Sequence, residues 1–178
     1  MGERNMQNNR RKGTLLQLSL VGAALVAVSC LLAGGTSTAA SAKPISAPAV
    51  KYAQIQANHA AQVVKLVNKE RAKAGLKPLI VHSNLTKMAK NKVIDMYQNK
   101  YFSHTSPKFG SPFDMMDSYH ISFTYAGENL AKGQRTPSEV VKDWMNSPGH
   151  RANMLNSHYT LIGVGYYNGY WSEEFVGK

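Results

Sequence analysis

The chain has 178 residues, 21 Lys and Arg against 10 Asp and Glu, and a single cysteine. One cysteine excludes a disulfide-stapled scaffold, so packing must hold the fold. A formal net charge of +11 draws the chain toward anionic surfaces. The lysines are scattered, however, and no aromatic-basic stripe or recognition motif marks a nucleic-acid binder.

Arg10, Arg11 and Lys12 form a basic start, and residues 14–33 are apolar except for Gln17, Ser19 and Ser29. Small residues follow, with Ala40-Ser41-Ala42 as an A-x-A cleavage pattern. Residues 1–42 therefore read as a secretory signal peptide, cut near Ala40 or Ala42. A run of about twenty apolar residues can also span a bilayer. An uncleaved anchor is thus the alternative, and the only route by which this chain would hold a membrane. Arg10-Arg11 fits a twin-arginine signal poorly. Ala27-Val28-Ser29-Cys30 lacks the large aliphatic residue of a lipid-attachment site, and Leu31-Leu32 is wrong for a lipidated start. The expected product is secreted, extracellular and free of cysteine, with wall association favoured by its charge. From Lys43 onward it carries 17 Lys and Arg against 9 Asp and Glu.

Residues 43–57, with Pro44 and Pro48, read as a linker, and residues 58–178 as one domain large enough for a real core. Residues 58–75 have helical spacing at Val63, Leu66, Val67 and Glu70, and Gly75 is a natural stop. A second helix starts near Ser83. Leu85, Met88, Ala89, Val93, Met96 and Tyr97 form its apolar face, with Lys87, Lys90, Asn91 and Lys92 lying mostly away from it. Thr136-Pro137-Ser138-Glu139 is a capping box with proline at the first helical position. Val140, Val141, Trp144 and Met145 make the buried face behind it, and Pro148 ends that helix at Ser147. Residues 161–167 and 170–176 flank Asn168-Gly169, a strong hairpin signal. Gly163 and Gly165 leave one strand face thin, so another element can pack closely there. Helices before and between strands, closed by a hairpin, argue for an α+β fold.

Four motifs stand in order: Ser103-His104-Thr105-Ser106-Pro107, Gly127-Glu128-Asn129-Leu130, Trp144 with Ser147-Pro148-Gly149-His150-Arg151-Ala152-Asn153, and Ile162-Gly163-Val164-Gly165. In this order and spacing the chain resembles the CAP superfamily (cysteine-rich secretory proteins, antigen 5, pathogenesis-related 1), in its bacterial SCP-like extracellular form. The resemblance covers roughly residues 58–177. It implies a single domain after a signal peptide, folded as a three-layer α-β-α sandwich of the CAP type. It also implies a cleft lined by His104, Glu128 and His150. The family's second Glu follows a helical Trp by three residues, a place that Ser147 holds here. The expected tetrad is reduced to His-Glu-His.

Two neutral imidazoles and a carboxylate suit a divalent metal such as zinc, so His104, Glu128 and His150 are the candidate ligands and no other cofactor is implied. The same groups can act as general base and orienting partner. Their separations are long and no His-Glu-x-x-His motif occurs, so their convergence rests on the resemblance. Ser106 near His104 allows a Ser-His-Glu arrangement, but no nucleophile elbow is present, and a serine before Pro107 reads as a turn residue. Glu173, between Trp171 and Phe175, is either an inward polar group near the cleft or solvated on an edge strand. Arg151 and Asn153 are expected to tie their loop to the fold. His59, His82, His120 and His158 show no partner pattern.

Two function classes follow. The first is a secreted binding or effector module that holds a lipid, a cell-wall polymer or fragment, or an extracellular protein. Tyr101, Phe102, Phe113 and Tyr119 are available as apolar walls. The second is a hydrolase or protease using the same cleft, with or without a metal. The binding reading is preferred, because it needs only a cleft and walls. The hydrolase needs a nucleophile or metal that the sequence does not clearly offer.

Overall fold

A computed structural model describes residues 46–178. The signal segment, its cleavage motif and Cys30 lie outside the described residues. Helix α1 (Ala47–Lys73) begins inside the segment expected to be a linker. Ser46 is its extended N-cap, and Pro48 lies in the first turn, where a missing amide proton costs no intrahelical bond. The proline that suggested a linker is thus a helix starter. Near the other end, Arg71 is 1% exposed and donates to the carbonyls of Lys77, Met154 and Asn156, each at 2.9 Å.

The short strand β1 (Ile80–Val81) leads into α2 (Ser83–Gln98), whose first turn is capped by His82. Leu85, Met88, Ala89, Val93 and Met96 are fully buried, as expected. Two neighbours reverse the expectation: Tyr97 is 43% exposed, while Lys92 is fully buried. Helix α3 (Pro112–Ser118) follows, capped reciprocally by Ser111 and Asp114, and then strand β2 (Tyr125–Lys132). The expected capping box opens α4 (Pro137–Asn146): Thr136 Oγ1 accepts from the Glu139 amide, and the Thr136 amide donates to Glu139 Oε2, both at 3.2 Å. Pro148 ends α4 and starts α5 (Pro148–Met154). Strands β3 (Leu161–Tyr167) and β4 (Tyr170–Gly177) form the hairpin, turning at Asn168 and Gly169 with φ of 46° and 79°.

The sheet order is β1-β3-β4-β2, so β4 is central and β2 is an edge. On one face, Val63 and Val67 of α1 and Val140 and Trp144 of α4 pack with Ile162, Val164, Trp171 and Phe175. On the other, α2 and α3 cover the sheet through Leu85, Met88, Met115 and Met116 against Val176, and through Val93 and Met96 against Leu130 and Tyr170. The fold is the expected α+β three-layer sandwich. The thin face of β3 is where α2 sits. A Cβ on Gly163 would lie 2.2 Å from the Leu85 carbonyl carbon, and one on Gly165 2.3 Å from the Ala89 oxygen.

Candidate functional site

Strands β2 and β4 pair with Glu128 opposite Glu174 and Asn129 opposite Glu173. Opposite residues of an antiparallel pair share a face, and successive residues alternate. Glu128 and Glu174 therefore face α2, while Asn129 and Glu173 face α1, α4 and α5. All four are buried.

On the α2 side, His104 Nδ1 lies 2.7 Å from Glu128 Oε1, and Glu128 Oε2 lies 3.8 Å from Lys92 Nζ. The Lys92 ammonium also donates to the His104 carbonyl oxygen. Where Glu128 is ionised it can only accept, which puts the proton on Nδ1 and leaves Nε2 as the acceptor nitrogen of the ring. The His104 side chain is 59% exposed, while that of Glu128 is 2% exposed. Burial pushes the His104 pKa down, and the Lys92 charge acts in the same direction. Burial raises Glu128 to about 7 against the opposing pull of Lys92. Glu174 is pushed well above the usual carboxylate range, first by burial and then by the charge of Glu128.

The loop carrying His104 is anchored to α2 a second time. Ser106 is 2% exposed, and its hydroxyl donates to Asp95 Oδ2 at 2.7 Å. It also accepts from the amides of Lys108 and Phe109 at 3.0 and 2.9 Å. Ser106 is thus the turn residue, with its hydroxyl committed to Asp95. The Tyr101 hydroxyl donates to the same carboxylate, and its pKa is raised to about 12, by burial first and then by that bond.

On the opposite side, Asn129 Nδ2 donates to the His150 carbonyl at 3.1 Å and to Glu173 Oε2 at 3.2 Å. Asn129 Oδ1 accepts from Asn153 Nδ2 at 2.9 Å, which also approaches the Glu128 carbonyl at 3.3 Å. These bonds tie α5 to β2 and place His150, half-buried, beside the edge strand. Its pKa is lowered by burial and then by the charge of His104, so the two imidazoles lie within electrostatic reach of each other. Asn153 ties its loop down as expected, while Arg151 is exposed.

Glu173 corrects one expectation. It lies on the central strand and is fully buried, so edge solvation does not apply, and it points to the face opposite Glu128. Burial raises its pKa to about 8, with the Asn129 bond opposing. Ser147 is the extended N-cap of α5 and makes no side-chain capping bond. Of the four expected wall aromatics, Phe102 alone is exposed, at 49%. Tyr101 is bound to Asp95, Phe113 packs on Phe123, and Tyr119 bonds Asn91. Three of the remaining histidines have structural partners: His82 caps α2, His59 stacks on Tyr166 and His158 on Tyr125.

The sequence reading missed Lys92, Asp95 and Glu174. Lys92 follows Met88 by four residues and Asp95 follows Lys92 by three, so both fall on the buried face of α2. Charged residues at such positions were the available signal.

The three candidate metal ligands fit zinc poorly. Among the described residues no group of three His, Cys, Asp or Glu stands together as a metal site. Glu128 is already shared between His104 and Lys92, and that ammonium opposes a second cation beside it.

Residues 64–177 match the model of the CAP, cysteine-rich secretory protein, family. The chain is 56% identical over 119 residues to the uncharacterized protein YkwD of Bacillus subtilis, covering 66% of this chain and 46% of that one. It is 37% identical over 136 residues to the uncharacterized membrane protein YlbC of the same organism, covering 76% and 39%. It thus spans less than half of either relative. Among solved structures, an extracellular SCP-domain protein of Bacillus anthracis superposes with a TM-score of 0.71 at 32% identity, over 77% of this chain and 45% of that one. An outer surface protein of Borrelia burgdorferi superposes at 0.59 and 27% identity, over 65% and 90%.

Proposed function

The chain belongs to the CAP, cysteine-rich secretory protein, family, and from that premise we propose that it is an extracellular ligand-binding module whose cleft is lined by His104, Glu128 and His150. The observation that carries this reading is the pairing of an exposed imidazole with a buried carboxylate at 2.7 Å, while the neighbouring Ser106 hydroxyl is committed to Asp95. Such a site offers an oriented acceptor to a hydroxyl, amide or ammonium of a ligand, with exposed Phe102 as an apolar neighbour. The ligand classes are a lipid, a cell-wall polymer or an extracellular protein, and the basic charge favours anionic ones. Secretion is supported by solved relatives described as extracellular and as an outer surface protein. A relative described as a membrane protein keeps an uncleaved anchor as the alternative.

A hydrolase is the second reading, since a His–Glu pair is also a general base with its orienting group. It would act on water directly, because Ser106 is not available and the trio does not fit a metal. Native mass spectrometry of protein recovered from culture medium separates the two. Binding predicts a retained ligand mass that disappears in the His104→Ala/His150→Ala double variant. A protein that retains nothing but releases product from wall fragments or lipids, with loss of release in His104→Ala, would overturn the binding reading.

A further inference from the structure

We propose that Glu174 and Lys92 are positioning residues of the cleft: a neutral Glu174 carboxyl donates its proton to Glu128, and the Lys92 ammonium balances the one negative charge that remains. Glu128 then stays a carboxylate and fixes His104 with Nδ1 protonated and Nε2 free. The inference deepens the binding site proposed above and rests on it only for its use, since its test reads the imidazole itself.

The register sets the geometry. Glu128 and Glu174 are opposite each other on one face, which places such side chains about 4.5–5.5 Å apart at Cβ. Glu128 Oε2 and Glu174 Oε2 are both buried without a hydrogen-bond donor, whereas Glu174 Oε1 accepts from the Ser172 hydroxyl at 2.6 Å. Two ionised carboxylates in this position repel each other and leave two acceptors orphaned. One proton turns the pair into donor and acceptor.

The surrounding charges decide how many protons the pair holds. Lys92 comes from α2, His104 from the loop after it, and Glu128 from β2. Strand β3 places Gly163 opposite Glu174 and so adds no side chain, and Ser172, beside Glu174 on β4, is uncharged. Among the described residues Lys92 is the only lysine or arginine within salt-bridge distance of either carboxyl. One ammonium balances one carboxylate, and a second buried negative charge would have no counterion. The contacts also say which carboxyl keeps the charge. His104 and Lys92 both approach Glu128, while Glu174 meets a serine hydroxyl. Burial raises both carboxyls, so the pair favours holding a proton.

The test is nitrogen-15 NMR of the histidine rings, with carbon-13 NMR of the glutamate carboxyls, on the protein recovered from culture medium. In the unchanged protein His104 should be the Nδ1-protonated tautomer at neutral pH and titrate below about 6.5. Glu174→Gln places an amide donor where the carboxyl proton stood and changes no charge, so tautomer and midpoint should stay. Glu174→Leu removes the donor, makes Glu128 the stronger acceptor, and should move the His104 midpoint up. A His104 midpoint that falls in Glu174→Gln would mean that Glu174 carried a full negative charge, and would overturn the proposal. Should the variants fail to fold, the unchanged protein decides: a Glu174 carboxyl carbon shift of the protonated form at pH about 7 supports the proposal, and that of the ionised form overturns it. None of these readings depends on a ligand, so failure of the binding reading leaves them intact.

Discussion

The two faces of the β2–β4 ribbon hold their histidines by different means. On the α2 face, His104 is held through its ring, by a buried carboxylate with a buried ammonium behind it. On the α5 face, His150 is held through its backbone carbonyl, by Asn129 with Glu173 behind it. The first arrangement contacts the ring itself, where protonation and tautomer are decided. The second sets position and leaves the ring without a hydrogen bond among the described residues. Adjacent residues on each strand separate these two tasks, because a period of two sends Glu128 and Asn129 to opposite sides.

The largest effect should come from the packing that supports the α5 face. Trp144 is 1% exposed, and its indole donates to the Leu130 carbonyl at 3.3 Å. Trp144→Ala should cost about 3–5 kcal/mol by urea denaturation. If His150→Ala proves equally damaging, position and packing are not separate on this face. On the α2 face, Gly165→Ala forces a methyl against the Ala89 backbone and should cost about 1–3 kcal/mol, through displacement of α2.

The histidines themselves should differ. His104→Ala strips a buried carboxylate of a donor and should cost about 1–3 kcal/mol. His150→Ala leaves its backbone bond to Asn129 in place and should change stability by no more than about 0.5 kcal/mol. Equal losses for the two would erase the contrast between ring-held and backbone-held residues.

Glu173 offers a pH test of the α5 face. Its pKa in the fold, about 8, lies above the ordinary 4.5, so the unfolded chain releases this proton first. The stability it allows is complete below about 4.5 and is lost as the pH rises toward 8. Glu173→Gln should therefore gain stability relative to the unchanged protein as denaturation is repeated from pH about 5 to about 8. Parallel curves would mean that Glu173 ionises freely.

What the sequence made legible was mostly local. The box at Thr136 and Glu139, the turn at Asn168-Gly169 and the thin face at Gly163 and Gly165 each depend on a few neighbouring residues, and each stands in the fold. The contact of His104 with Glu128 followed from family likeness and not from spacing. Glu174 stayed hidden because its role depends on the register of β2 against β4, which no local pattern carries. Glu173 was ambiguous for a related reason, since a hairpin alone does not say which of its strands is central. Residue type alone turns Lys92 outward, whereas its helical position is inward. Pro48 reads locally as a linker mark, but prolines also open helices.

The central claim is that the two imidazoles, held from opposite faces, meet in one cleft. Its most direct test is an NMR titration of the His150 ring in the unchanged protein and in His104→Asn. A shared cleft predicts a His150 midpoint below the ordinary value of 6.5, lowered by burial and by His104, that rises when His104 is replaced. A His150 midpoint unmoved by that replacement would contradict the shared cleft.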